Sequence, residues 1–338
     1  MIAEAEKRHL LLYYFYPDGV QFHRKRILGH RYQNGQWIKR YFPWPLIVYN
    51  RIVSRSLEQG EAVQTLIQRF SLDTDLQFFN SRFLDKWEVY EVLSREPELE
   101  AHLPATALMH SAVLYEFLDN YEEIFLKPRA GSTGKGIIKI VKTPAGKYQY
   151  ALARESSGRF KQALNMQQLL HKLAALKLIS SRYIVQQGIR MSRYQGQIFD
   201  LRTLMQKNGQ GKWVFTGMGA RAAARGKFVT HIPNGGKAVP LHELEKELFS
   251  SIEQRDEMWK DVAKLALCCA AVLEKQTGLN LGVLSMDMGL DVNGHLWVIE
   301  INSKPGVFDE KEIRQRHVSL LHDYFEYLIE NRTAGKEG

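Results

Sequence analysis

The chain has 338 residues, 45% hydrophobic and 25% charged, a balance ordinary for a soluble globular protein and long enough for two or three packed units. No apolar run approaches the roughly 18–20 residues needed to span a bilayer. The start, with Glu4 and Glu6 beside a short apolar run, does not read as a cleavable signal peptide, so a cytoplasmic protein with no membrane partner is expected.

The net charge of +9 is uneven: residues 1–60 hold ten Lys/Arg against four acids, +6 of the total. Such a region suits nucleic acid, other anionic polymers or phosphorylated ligands, or is a solvated surface. No RNA-binding aromatic signature or zinc-finger spacing accompanies it, so nucleic acid is not the expected partner. Cys268 and Cys269 are neighbours on a predicted helix, point in different directions, and read as small side chains in a reducing compartment.

Residues 8–60 look strand-rich. Residues 10–16 form an apolar and aromatic run, and Gln33-Asn34-Gly35-Gln36 is a turn between segments 28–32 and 37–41. Pro43-Trp44-Pro45 breaks the chain, residues 46–49 read as a buried strand, and 57–70 fit a helix, giving a small α/β unit over 1–78. In 80–93, Asp85 can cap a helix with apolar positions Trp87, Val89, Tyr90 and Leu93. Lys86 at its start works against the helix dipole, a small cost that an anionic ligand would offset. An extended link at 103–106 and a helix at 110–118 follow.

Residues 124–128 read as a short strand with Lys127 near its end. Gly131, Gly134 and Gly136 then punctuate a loop before a β-type run at 137–141. The spacing is neither a Walker A nor a Rossmann motif. A glycine-rich loop between antiparallel strands suggests a flap over phosphates, although a plain mobile hairpin has the same composition. Residues 160–179 show amphipathic helical spacing, 183–189 a strand, and 198–206 with 213–218 a strand pair across Asn208-Gly209. There Arg202 faces the same side as Asp200. Residues 220–226 and 234–236 look like loops rich in cations and glycine, 241–278 mostly helix, and 310–331 a closing helix before a polar tail.

Residues 282–306 read as a hairpin turning at Asn293-Gly294, a pair suited to positive φ. Acids appear where core strands usually avoid them, at Asp287 and Glu300. Asn302 follows Glu300 by two and so shares its face. If the register follows the turn, three oxygen ligands converge, a set suited to Mg²⁺ shared with substrate phosphates. The plainer alternative is a half-buried hairpin whose carboxylates face water.

Taken in order, Asp85-Lys86, residues 103–106, Lys127 with its glycine-rich loop, residues 183–189, Asp200 and Arg202, Arg221, Gly235-Gly236, Asp287 and Glu300-Ile301-Asn302 resemble the ATP-grasp superfamily. The wording IVYNRI, FNSRFLDKWEVYEVL, FLKPRAGSTGKGI and EINSKPG is similar to its YheC/YheD subgroup, described as endospore coat-associated. The resemblance implies an α+β, ATP-grasp fold. In it a small lobe (79–190) and a large lobe (191–332) sandwich ATP, preceded by the N-terminal α/β unit and followed by a tail at 333–338.

The resemblance also implies ATP and Mg²⁺, with Mn²⁺ as an alternative, and a ligase in which a carboxylate takes the γ-phosphate and an amine displaces it from the acylphosphate. By the same resemblance Lys86 and Lys127 contact phosphates or the adenine edge, and Ser132, Thr133 and Gly134 cover the β- and γ-phosphates. The segment Gln186, Gln187, Gly188 and Ile189 holds adenine, Arg202 and Arg221 hold the γ-phosphate and acylphosphate, and Asp287, Glu300 and Asn302 carry the metal. The acid and amine substrates are not indicated, and spore coat components are candidate partners.

Three positions depart from many family members: Gln187 where a Glu is frequent, His231 where an Asn is frequent, and Lys304 where a small residue is frequent. The alternatives are a nucleotide-binding assembly protein of the spore coat without turnover, and a polyanion- or nucleic-acid-binding protein using the basic first 60 residues.

Overall fold

The computed structural model describes residues 1–131, 134–153, 160–230 and 232–334. After helix α1 (Ile2–Lys7), strands β1 (Tyr14–Gln21), β2 (Arg26–Gln33) and β3 (Gln36–Pro43) form an antiparallel sheet in the order β1-β2-β3. Its tightest turn lies at the predicted place, with Asn34 at φ 51° and Gly35 at φ 79°. The apolar run enters the sheet only at Tyr14. One face of the sheet packs Ile27 with Val20 and Phe15 against Phe70 and Val48. Strand β4 (Ile47–Tyr49) pairs in parallel with β5 (Gln77–Phe79). Between them the expected single helix is two, α2 (Arg55–Glu58) capped by Ser54 and α3 (Glu61–Leu72), divided at Gly60.

Helix α4 (Lys86–Leu93) starts as the sequence suggests, with Asp85 Oδ1 accepting from the N–H groups of Trp87 and Glu88. Helix α5 (Pro97–Glu100) and strand β6 (Thr106–Leu108) lead into α6 (Ser111–Asn120), then β7 (Glu123–Pro128), β8 (Ile138–Lys142), β9 (Tyr148–Leu152), β10 (Lys161–Ala163), α7 (Met166–Ala175) and β11 (Tyr183–Gln187). These strands make one sheet in the order β10-β9-β8-β7-β11-β6. The helix expected over 160–179 is shorter. Its first residues pair with β9 instead, burying Ala163, and the helix begins only where the Asn165 side chain accepts from Gln168 N. A buried edge position and a cap there override the helical spacing upstream.

The second large sheet is built from β12 (Arg193–Tyr194), β13 (Gln197–Lys207), β14 (Trp213–Ala222), β15 (Lys237–Val239), β16 (Val283–Leu290) and β17 (Leu296–Asn302), in the order β15-β14-β13-β16-β17 with β12 beside β13. Helices α8 (Leu241–Leu248) and α9 (Ile252–Thr277) precede β16, and α10 (Lys311–Ala334) closes the chain. Residues 220–222, expected in a loop, continue β14, so Arg221 is held in a ladder opposite Asp200 on one side and Ala238 on the other.

The alternation of β16 divides the sheet. Leu284, Met286 and Met288 face a core completed by Leu265, Ala266, Cys269 and Leu273 of α9. Val283 joins Leu204 and the α10 residues Ile313, Leu321, Tyr324 and Leu328 on the other side. Asp287 sits on that second side too, because side chains two apart on a strand share a face. Cys268 and Cys269 are free thiols.

Candidate functional site

The hairpin β16–β17 turns on Asp291. Its Oδ1 accepts from Asn293 N (2.8 Å) and His295 N (2.9 Å), its Oδ2 from Trp297 Nε1 (3.1 Å), and Gly294 takes φ 81°. A bulge between Asp287 and Met288 then sets the register, with Asp287 opposite Glu300 and Ser285 opposite Asn302. On its other side β16 pairs with β13 so that Asp287 faces Arg202, and β13 pairs with β14 so that Arg202 faces Gly219 and Asp200 faces Arg221. Directly opposed residues share a face. Gly219, Arg202, Asp287 and Glu300 therefore make one row across four strands, with Asp200 and Arg221 in the row above and Ser285 and Asn302 in the row below. Asp287, Glu300 and Asn302, the oxygen-bearing residues read from the sequence, thus lie on one face of the sheet in adjacent rows.

The charges on this face are tightly paired. Arg221 binds Asp200 through both arms (2.9 and 2.6 Å) and stands 3.0 Å from Asp287 Oδ1. Thr230 donates to Asp200 as well. Burial presses against the charge of Arg221, but Asp287 and Asp200 outweigh it and hold the guanidinium protonated far above its ordinary value. Burial, then the charge of Asp287, pushes Asp200 up. Burial also lowers Arg202, which stacks over Phe308 (4.5 Å) and donates to Gly306 O (3.3 Å).

Asp287 Oδ1 is at ion-pair distance from Arg221, yet no donor is aligned on it. It and Ser285 Oγ are buried atoms without a hydrogen bond. A carboxylate oxygen left so is a ready acceptor for a cation. Among the described residues no group of three or more His, Cys, Asp or Glu could hold a metal alone. Asp287, Glu300 and the Asn302 amide form a hard-oxygen set that suits Mg²⁺ in company with phosphate oxygens, the usual way that ion is bound.

Lys86 closes the row. Its Nζ lies 2.8 Å from Glu300 Oε1 and 3.1 Å from Gly131 O, so the start of α4 ties the glycine-rich loop to β17. Lys127 on β7 is buried and donates to Gln186 Oε1 on β11, whose Nε2 reaches Thr106 Oγ1 at 3.0 Å. Burial pushes the Lys127 ammonium down to about 8, against the partial support of Glu300. Lys86, Lys127, Gln186, Glu300, Leu103 and Ile301 all line one cleft. It runs between the small-lobe strands β7 and β11 and the large-lobe strand β17.

The segment after β11 is used by the fold in part. Gln187 N donates to Ala105 O (2.8 Å) while its Oε1 accepts from Ala105 N (3.1 Å), and Gly188 N donates to Glu123 O (2.8 Å). A Cβ at Gly188 would overlap Glu123. Met191 N donates in turn to Ile189 O (2.9 Å), so two N–H groups and one carbonyl of this segment are engaged within the fold. Gly134 takes φ 72° and accepts from Ile137 N. Ser132, Thr133 and His231 lie outside the described residues.

Several residues that shape the site carry no signal in the local sequence. Asn80, at φ 51° and fully buried, accepts from Gly282 N (2.8 Å) and Val283 N (3.2 Å) and donates to Val283 O (2.6 Å) and Ser303 O, clamping both ends of the hairpin. Glu58 is buried against Lys304 and also accepts from Phe83 N (2.7 Å) and Asn50 Nδ2 (3.2 Å). Arg51 donates to Pro305 O (3.2 Å). Gly219 leaves room for Glu310, whose carboxylate a Cβ there would strike. Beside Arg202 and Arg221, Glu310 and Asp309 line a small recess with Phe308.

A family model described as YheC/D-like ATP-grasp matches residues 75–329. Among curated proteins of Bacillus subtilis (strain 168), the endospore coat-associated protein YheD is 27% identical over 94% of this chain and 70% of its own length. The endospore coat-associated protein YheC is 22% identical over 80% and 73%. Among solved structures, the D-alanine-D-alanine ligase from Coxiella burnetii superposes with a TM-score of 0.51 at 14% identity, covering 92% of this chain and 77% of that one, a likeness of fold.

Proposed function

This chain belongs to the YheC/D-like ATP-grasp family, and from that premise we propose that it is an ATP- and Mg²⁺-dependent ligase, with Mn²⁺ as an alternative ion, that joins a carboxylic acid to an amine, in the cytoplasm, in service of the spore coat. The observation that carries the reading is the row Arg202–Asp287–Glu300 with a buried, unaligned acceptor at Asp287 Oδ1.

In the proposed reaction an oxygen of the acid attacks the γ-phosphorus and ADP leaves. The amine then attacks the carbonyl carbon, phosphate leaves, and the nitrogen loses a proton. Asp287, Glu300 and Asn302 would hold the metal, which when bound neutralises charge on the phosphates. Lys86 and Lys127, which both line the cleft, meet the phosphates, and Gly131 and Gly134 let the loop backbone approach them together with Ser132 and Thr133. Gln186, Gln187, Gly188 and Ile189 line the adenine end. Arg202 and Arg221 bind the oxygens of the transferring group, a role the planar guanidinium fork suits.

The test is ADP and phosphate release in a screen of acids against amines. Acid-stimulated release supports the reading. ATP binding with no stimulation by any acid in a broad screen sinks it, in favour of an assembly protein that binds nucleotide without turnover.

A further inference from the structure

The N-terminal sheet has an outer face that the ATP site does not use. Its registers place Tyr14, His30 and Lys39 in one row, Tyr32 and Trp37 in the next, and Leu28 with Tyr41 on the other flank. Tyr16, two residues after Tyr14, touches His30 edge-on at 5.7 Å. The opposite face is the one that buries Ile27 and Phe42.

An antiparallel sheet with one solvated face normally turns polar side chains outward. Here Tyr14, Tyr16, Tyr32, Trp37 and Tyr41 stand on that face, 44–68% exposed. They form linked rings: Tyr14 meets Trp37 at 6.1 Å and Tyr32 meets Trp37 at 5.5 Å. Cations surround them. Between residues 14 and 43 there are six Lys/Arg and a single acid, Asp18. Arg26 lies 3.9 Å over Tyr41, and Arg24 and Lys39 are exposed, whereas Arg40 lies on the other face, 5.1 Å over Phe42.

We infer that this face binds single-stranded nucleic acid, the rings taking bases and Arg24, Arg26 and Lys39 the phosphates, without strong sequence preference. Protection of a free sheet edge accounts for Lys39 and Arg40 on β3 but not for rings across three strands. A second copy meeting the same patch would set cation against cation. A bilayer would want an apolar tip, whereas the turn that projects from this sheet is Gln33-Asn34-Gly35-Gln36. The rings come from positions scattered over 14–41, so the face exists only once the strands pair, and sequence spacing does not display it.

The test is fluorescence anisotropy of a labelled oligothymidylate with the full chain at low ionic strength, repeated with rising salt and without ATP or metal. Binding should weaken steeply with salt. Trp37→Ala and Tyr16→Ala should each weaken it about tenfold, within the range for loss of one stacked base. The pair Arg24→Gln and Lys39→Gln should reduce the salt slope by about 1.4. Circular dichroism of each exposed-site variant should match the parent. Absence of binding at low salt overturns the proposal. So does equal binding of polyglutamate unaffected by Trp37→Ala, or binding to anionic vesicles alone, or self-association abolished by Trp37→Ala. None of these outcomes bears on the ligase reading, which stands or falls on ADP release.

Discussion

Asp287 is where the charges of the large sheet meet: Arg202 beside it in the ladder, Glu300 on the other side, and Arg221 3.0 Å from its Oδ1. Asp287→Asn keeps the shape and removes the charge. It should lower acid-stimulated ADP release by more than the roughly 10–100-fold that follows loss of a metal ligand's supporting partner, with ATP binding in the absence of metal little changed. Steady-state rates across a metal titration check this.

Lys127 makes a second prediction. Its folded value of about 8 lies below the 10.5 of an exposed lysine, so the folded chain sheds this proton first and the unfolded chain holds more protons between those values. The contribution of this group to folding stability therefore rises with pH across that window, while the charge available to phosphate is lost above pH 8. ATP affinity should fall as pH rises past 8 and the dependence should flatten in Lys127→Met, as read by calorimetric titration.

At the scale of elements, Asn80 shows what a short stretch hides. Its amide closes hydrogen bonds to Gly282, Val283 and Ser303, some two hundred residues away. Asn80→Ala leaves these buried backbone groups without partners and should destabilise the chain by about 3 kcal/mol or more, at roughly 1–3 kcal/mol for a buried group left unsatisfied. Chemical denaturation measures it. The hairpin itself was legible in the sequence, because Asn293-Gly294 marks a turn and Glu300 and Asn302 sit two apart. So was α4, because Asp85 is an N-cap. What was not legible depends on partners: Lys161 to Ala163 join an edge strand only because β9 is there to receive them, and Arg221 belongs to a strand only because Asp200 and Ala238 flank it. Local periodicity records a residue's own preference, and these positions are decided by a neighbour's backbone.

At the scale of the whole molecule, the N-terminal unit is locked to the segment just after β17 through Glu58 and Lys304, whose side chains are 4% and 2% exposed. Burial, then Arg55, presses Lys304 toward neutrality, with the Glu58 carboxylate seated against it. Removing one partner, as in Glu58→Ala, should cost about 3–5 kcal/mol by stranding a buried charge. Replacing both, Glu58→Leu with Lys304→Met, should come close to the parent. Thermal and denaturant melts of the set separate these outcomes. The three departures noted in the sequence differ in this light: Lys304 has a buried partner, Gln187 is tied to Ala105, and His231 lies beyond the described residues.

Lys86 resting on Glu300 has a consequence for order of assembly. In the free protein Glu300 is already answered by Lys86, while Asp287 Oδ1 has Arg221 at 3.0 Å but no aligned donor. A lone divalent ion must dislodge a cation that is already seated, and a lone nucleotide must draw that cation off its carboxylate. On the proposed reading an ion would take the carboxylates and the displaced side chains the phosphates, so each exchange would remove the obstacle to the other. Metal and ATP should therefore bind cooperatively, each raising the other's affinity by the same factor as linkage requires. In Lys86→Met that mutual factor should shrink while binding of the metal alone tightens.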